Sequence, residues 1–308
     1  MQIITIFQMI YGVPSFCLMC FFFILIFIDR NNLSNPFYRL VQIDIFVNIT
    51  CYINTWMSIR LENFEIGMLI LIFIQKNIPG FLTVSKLCIG LYFHMQNITG
   101  LSLVVYRFTS VHFINSEKHW GRYYLLVPIF GFVYSFLVIS PWWIFGNFMA
   151  KVDLVDGKLH TTVNPKSLFM HSTINYLFSL FYFLLIILVG VWTTITLQSR
   201  GKKSGSIRNQ HFVQKLTKVI VCNSVLMSGN LLLLVVLSVF YILFPMQSAV
   251  SKFKWIVITF TSDMVTLAMP YLLLAFDSNI RRILRIEKRK HLFLDGVRLR
   301  TVTHQAET

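Results

Sequence analysis

Long apolar runs separated by short polar gaps organise this chain. They cover roughly residues 3–28, 37–59, 82–108, 123–145, 168–197, 213–244 and 254–276. Each is long enough for an α-helix to cross a bilayer, which takes about 20 apolar residues. Inside hydrocarbon the backbone must bond within its own segment, so such runs predict helices. The pattern predicts an all-α membrane protein, a single domain over 1–308 built as a seven-transmembrane helix bundle. An eighth apolar stretch, "FEIGMLILIFI" at 64–74, is too short to cross and runs into Gln75, Lys76 and Asn77. It is expected in the connection after the second span, lying on or dipping into the interface. The first run is too long for a signal-peptide core and lacks a basic segment before it, so it is read as retained.

Charge orients the bundle. The chain carries 27 Lys and Arg against 12 Asp and Glu, and only 13% of its residues are charged. The basic residues fall in the gaps and the tail, which fits membrane topology better than a nucleic-acid surface. With the amino terminus outside, 19 of the 27 stand on the inner side, so the reading is N-out and C-in. In this reading Arg60 belongs to an outer connection. Residues 198–211 form a basic third inner loop. Residues 277–308 form a cytoplasmic segment that opens with a short amphipathic helix, capped by Asp277 or Ser278. There Ile280, Ile283 and Leu284 share one face and Arg281 and Arg282 lie around the rest, an arrangement suited to anionic membrane lipids.

Polar groups inside spans are costly and face the bundle interior. Asp44, Asn48, Cys51 and Thr55 share one face of the second span, and Asp44 with Asn48 is expected to pack or switch. Thr259, Asp263, Thr266 and Pro270 form a similar stripe in the seventh, where Pro270 predicts a kink. In the third, His94 and Asn97 share a face and Gln96 points elsewhere. His94, Asn97 and Asp263 are the candidate ligand contacts. Trp120, Trp142 and Trp143 suit the interfacial belts. Between spans four and five, "KVDLVDGKLHTTV" places Asp156-Gly157 as a two-residue hairpin turn. Val155 then faces Lys158, and Asp153 faces His160, giving a lid over the outer mouth. The five cysteines lack metal-ligand spacing, and no metal or other cofactor is expected.

Three stretches go further: "NPFYRLVQIDIFVNITCYINTW" (35–56), "SDMVTLAMPYLLLAFDSNIRR" (262–282) and "VVYRFTSV" (104–111). Together with the layout they resemble the nematode serpentine chemoreceptors, most closely the gamma class (Srg), from the first span to the tail helix. The resemblance implies a G-protein-coupled receptor in the plasma membrane, at sensory-neuron cilia. Its partners would be a small-molecule ligand and a heterotrimeric G protein. It also implies a role for Arg107, since "YRF" looks like a relative of the acidic-Arg-Tyr motif that ends the third span of rhodopsin-like receptors. Tyr106 stands where the acid would be, so the usual ion pair is impossible. The plain alternative for Arg107 is a guanidinium reaching lipid headgroups over a buried stem. Tyr271 directly follows Pro270, with Met269 in place of the Asn of the rhodopsin-like switch. The loop between spans four and five has no cysteine, so it cannot be tied to Cys88 as in those receptors.

Other functions fit less well. A transporter or ion channel would need broken helices, acid pairs or pore-lining rings, and only Asp44 and Asp263 lie well inside spans. The eight histidines are scattered without the spacing of a catalytic or metal constellation, so no enzyme is expected.

Overall fold

The computed structural model describes residues 2–29, 33–113, 115–145, 150–201, 218, 221–236, 239, 248–277 and 279–284. The helices are α1 (Gln2–Ile28), α2 (Pro36–Thr55), α3 (Glu65–Asn77), α4 (Phe81–His112), α5 (Ser116–Tyr123), α6 (Leu126–Ile144), α7 (Pro165–Gly201), α8 (Val221–Val236) and α9 (Ser248–Phe276). Strands β1 (Ala150–Val155) and β2 (Lys158–Val163) form one hairpin. Among the described residues, four helices are long and apolar enough to cross a membrane. A fifth is added if α5 and α6, bent by 60° to one another, count as one span, and α8 is a shorter apolar helix.

Helix α4 is the centre of the bundle, in contact with α2, α6 and α7, while α1 and α9 close on α2. The main core joins α1, α2, α4 and α9 through Phe22, Ile45, Leu103, Leu267 and Leu273. A second cluster seats Met227 and Leu231 of α8 on Tyr182 and Ile186 of α7. Gly100 of α4 lets Met227 lie against the α4 backbone, where a Cβ would overlap its Sδ and Cε.

Helix α2 starts where its sequence says it should. The Asn35 side chain accepts from the Phe37 N–H at 2.8 Å, and Pro36 takes the first turn, where no donor is needed. Its other end departs from expectation. A π turn, Trp56–Arg60, comes after Thr55 and carries Arg60 into the bundle, where it is 1% exposed. One extra residue in a turn rotates the next side chains around the helix axis. Arg60 is therefore not the loop residue that the hydrophobic pattern made it.

Stretch 64–74 forms most of α3, too short to span, as its length requires. Leu71 and Gln75 are buried, while Ile66, Leu69 and Phe73 are exposed on the other side. Helix α3 carries the hairpin. Leu71, Leu82 and Val152 form a small core, and the Gln75 side chain donates to Val152 O at 3.0 Å. Thr83 Oγ1 accepts from the Val152 N–H at 3.0 Å. Both backbone groups of Val152 are thus held, and the hairpin is tied to α3 and α4 by hydrogen bonds in place of a disulfide. The five cysteines are free. The strands pair Val155 with Lys158 and Asp153 with His160, around a turn with positive φ at Asp156 and Gly157.

At the opposite end α7 runs on to Gly201, into the stretch expected as a loop. The rest of the basic loop, and the tail from 285 onward, lie outside the described residues. After α9, the Asp277 carboxylate accepts from the N–H groups of Asn279 and Ile280 at 2.8 and 3.2 Å, capping residues 279–284. Ile280 and Ile283 join the main core, so this helix lays its apolar face on the bundle, and Arg281 and Arg282 are exposed.

Thr83→Val keeps the shape but leaves the buried Val152 N–H without its acceptor, a loss of about 1–3 kcal/mol. In reconstituted protein, limited proteolysis should cut residues 150–163 several-fold faster while the rest of the bundle resists as before. Equal cutting rates would mean that Thr83 does not hold the hairpin.

Candidate functional site

Inside an apolar bundle a polar side chain must find a partner within the protein, in its own helix or in another. The partners found here form four clusters along the bundle.

Nearest the hairpin, α1, α2 and α9 meet around a charge pair. Arg60 Nη2 bonds Asp263 Oδ1, with the two side chains 1% and 3% exposed. Tyr11 OH donates to the other carboxylate oxygen, Oδ2, at 2.6 Å. The Arg60 guanidinium lies over the rings of Tyr52 and Trp56, 5.2 and 5.3 Å from their centroids. Stacking of this kind stabilises a desolvated cation by about 2 kcal/mol. It also accounts for Arg60 Nε and Nη1, which have no hydrogen-bond partner among the described residues. One turn beyond Tyr11, Gln8 bonds Thr259 at 3.1 Å.

Deeper, α2, α4 and α9 share a hydrogen-bond network. Thr99 and Asn48 donate to the two oxygens of Asp44 at 2.7 and 3.1 Å. Gln96 Nε2 donates to Asn48 Oδ1 at 2.7 Å and to Thr266 Oγ1 at 3.0 Å. Gln96 was expected to point away. The pattern assumed one buried face for the third span, whereas α4 is surrounded, and its second face meets α2 and α9.

On the other side of α4, His94 sits wholly buried against α6 and α7. Its Nδ1 is 3.0 Å from Tyr182 OH, which donates to Tyr134 OH at 3.3 Å. Phe93 and Phe178 meet the imidazole edge-on at 5.0 and 4.9 Å. His171 of α7 lies close by, against Gly90 of α4 and 5.7 Å from the Trp142 ring. His94 Nε2, His171 Nε2 and Ser135 Oγ are buried without a partner among the described residues.

At the tail end, Tyr106 OH donates to Asn35 Oδ1 at 2.8 Å, so the cap of α2 also holds the base of α4. Tyr38 OH donates to Asp277 Oδ2 at 2.9 Å, tying α2 to the start of the tail helix. Trp120 Nε1 donates to Thr109 at 2.8 Å with its ring edge-on to Tyr106. Arg107 is 5% exposed.

Several expectations change with this geometry. Asp263 and His94 belong to separate clusters, and Asn97 bonds back to Phe93 O at 2.7 Å. Asp263 is already engaged by Arg60 and Tyr11. Tyr271 is about half exposed and shares a 2.7 Å hydrogen bond with Ser15 of α1, and Pro270 is buried within α9. Trp142 is buried beside His171, and Trp120 is partly buried against Tyr106. On the hairpin, Asp153 pairs with Lys151 at 3.2 Å, both well exposed, in the manner of a weak surface pair. Sequence reasoning missed Arg60, His171, Ser135 and Gln96. Only Arg60 carried a signal, a charge directly abutting an apolar run.

The family model for "Srg family chemoreceptor" matches residues 5–284. Serpentine receptor class gamma-47 of Caenorhabditis elegans is 30% identical to this chain over 297 residues, covering 93% of this chain and 92% of the relative. Serpentine receptor class gamma-53 of the same organism is 25% identical over 285 residues, covering 89% and 88%.

Breaking a buried ion pair from one side leaves the other charge stranded, which costs about 3–5 kcal/mol, whereas replacing both partners by apolar groups is nearly neutral. Arg60→Met and Asp263→Leu should each lower the thermal midpoint of the purified protein by several degrees, and the double variant should recover most of the loss. Additive losses would show that the two side chains do not act as a pair.

Proposed function

Because this chain belongs to the Srg family of chemoreceptors, we propose that it is a seven-span receptor with its amino terminus outside the plasma membrane. A small molecule binds among the helices near the hairpin and biases a heterotrimeric G protein at the tail end. Helix α4 links the two ends: His94 lies in its middle and Arg107 near its last turn. In this orientation the hairpin lies over the outer mouth, held by Val152. The exposed Arg281 and Arg282 face the inner leaflet and the transducer.

One observation carries the coupling role of Arg107. A guanidinium reaching for lipid headgroups would be exposed, and Arg107 is buried inside the bundle. The neighbouring Tyr106, in place of the acid of rhodopsin-like receptors, fastens α4 to the cap of α2 instead. The resting restraint that an Arg–carboxylate pair gives elsewhere is supplied here by the Tyr106–Asn35 bond. A ligand shifts the equilibrium only by its differential affinity for the two arrangements, so loosening that bond shifts it without a ligand.

Arg107→Ala should abolish the second-messenger response in transfected cells while the amount at the cell surface stays within about twofold. An unchanged response would return Arg107 to a packing role. Tyr106→Phe removes one hydrogen bond, of about 0.5–1.5 kcal/mol, and should raise ligand-independent signalling several-fold. An unchanged baseline would show that the restraint lies elsewhere. Antibody should reach an amino-terminal tag on intact cells and a carboxy-terminal tag only after permeabilisation, and the reverse pattern would end the receptor reading.

A further inference from the structure

The His94 cluster holds polar atoms that the fold leaves open, and their neighbours assign their roles. Tyr182 OH gives its one proton to Tyr134 OH. It has none left for His94, so the 3.0 Å contact is His94 Nδ1–H donating to the Tyr182 oxygen. Nε2 of a neutral His94 is then a bare acceptor. His171 has the opposite tautomer. The Asn175 Nδ2 amide, a donor only, lies 3.0 Å from His171 Nδ1, so Nδ1 accepts and the proton sits on Nε2. No carboxylate touches either ring among the described residues, and a buried imidazolium without a counter-ion is costly, so both rings are neutral.

The two Nε2 atoms belong to one small region. His171 Nε2 lies 3.0 Å from where a Cβ on Gly90 would stand. His94 is one turn of α4 beyond Gly90, about 6 Å. Helix α6 closes the third side with Ile139 beside Gly90, Tyr134 edge-on to His94 and the unpartnered Ser135 between them in the chain. The remaining walls are aromatic: Phe93, Phe178 and Trp142.

A bare acceptor and a bare donor in the same region match one functional group that both donates and accepts. We propose that this region binds the hydroxyl of a small neutral alcohol or phenol: its proton goes to His94 Nε2 and its oxygen accepts from His171 Nε2–H. The aromatic side chains enclose the apolar body. An ammonium or carboxylate would enter without a counter-charge, which excludes ionised ligands here. This names the ligand class for the chemoreceptor reading above and rests on that reading for its biological meaning.

The test uses the full-length chain in lipid nanodiscs with 2-phenylethanol, its methyl ether and ethylbenzene. Readouts are the thermal midpoint and the 15N signals of the histidine rings. The alcohol should raise the midpoint and move both Nε2 signals. The ether, which accepts but cannot donate, should bind about tenfold more weakly. His94→Phe should erase the alcohol's advantage over the ether, and His171→Phe should weaken both. The wild-type comparison stands even if a variant fails to fold. Equal binding of all three compounds overturns the proposal. So do ring signals that report a hydrogen-bonded Nε2 but respond to no compound, since the region then holds water only. Alcohol binding without any second-messenger response in cells upholds the site and counts against the receptor reading. A cellular response to other compounds in a chain that binds no alcohol does the reverse.

Discussion

A polar side chain within an apolar bundle has no water to bond, and that constraint sets the inter-helix geometry here. Asp44 is met by Asn48 and Thr99, and Gln96 by Asn48 and Thr266, so α2, α4 and α9 have one common register. The Arg60–Asp263 pair fixes α2 against α9, and Tyr11 adds α1. Apolar packing alone would tolerate sliding of one helix along another. A carboxylate that must meet a guanidinium does not. The net stabilisation from such a pair is small after desolvation, and its contribution is to specify the arrangement.

The two ends of the bundle are fastened differently. At the hairpin end the ties include the backbone groups of Val152, a charge pair stacked on aromatic rings, and the Asn54–Ser85 and Glu62–Lys86 contacts to α4. At the tail end they are single neutral or charge-assisted hydrogen bonds: Tyr106 to Asn35, Tyr38 to Asp277 and Trp120 to Thr109. Each is worth little alone, and each joins two elements. An end held by several weak bonds is the part of a bundle whose arrangement a modest bias redistributes.

Helix α4 separates two chemistries. Its face toward α2 and α9 carries the Asp44, Asn48 and Thr266 bonds, with Gln96 spanning two helices. On its side toward α6 and α7, His94 Nε2, His171 Nε2 and Ser135 Oγ have no partner among the described residues, within aromatic walls. Buried orphan atoms are rare because each costs about 1–3 kcal/mol.

By itself the sequence determined what depends on local order. Run length and backbone satisfaction made the long apolar segments helices and kept 64–74 too short to cross. Asp156-Gly157 dictated the turn and hence the strand register, because only that dipeptide sits where positive φ is needed. Asn35-Pro36 and Asp277 dictated two helix starts for the same local reason. The placement of Arg60 was decided only in three dimensions. A π turn moves one residue around an axis, and the attraction that draws it inward comes from Asp263, 203 positions away in the chain. Gln96 and His171 were equally hidden, since a helical pattern tells which residues share a face but not how many neighbours surround the helix. That number depends on the packing of distant segments, and it made α4 a helix with two buried faces.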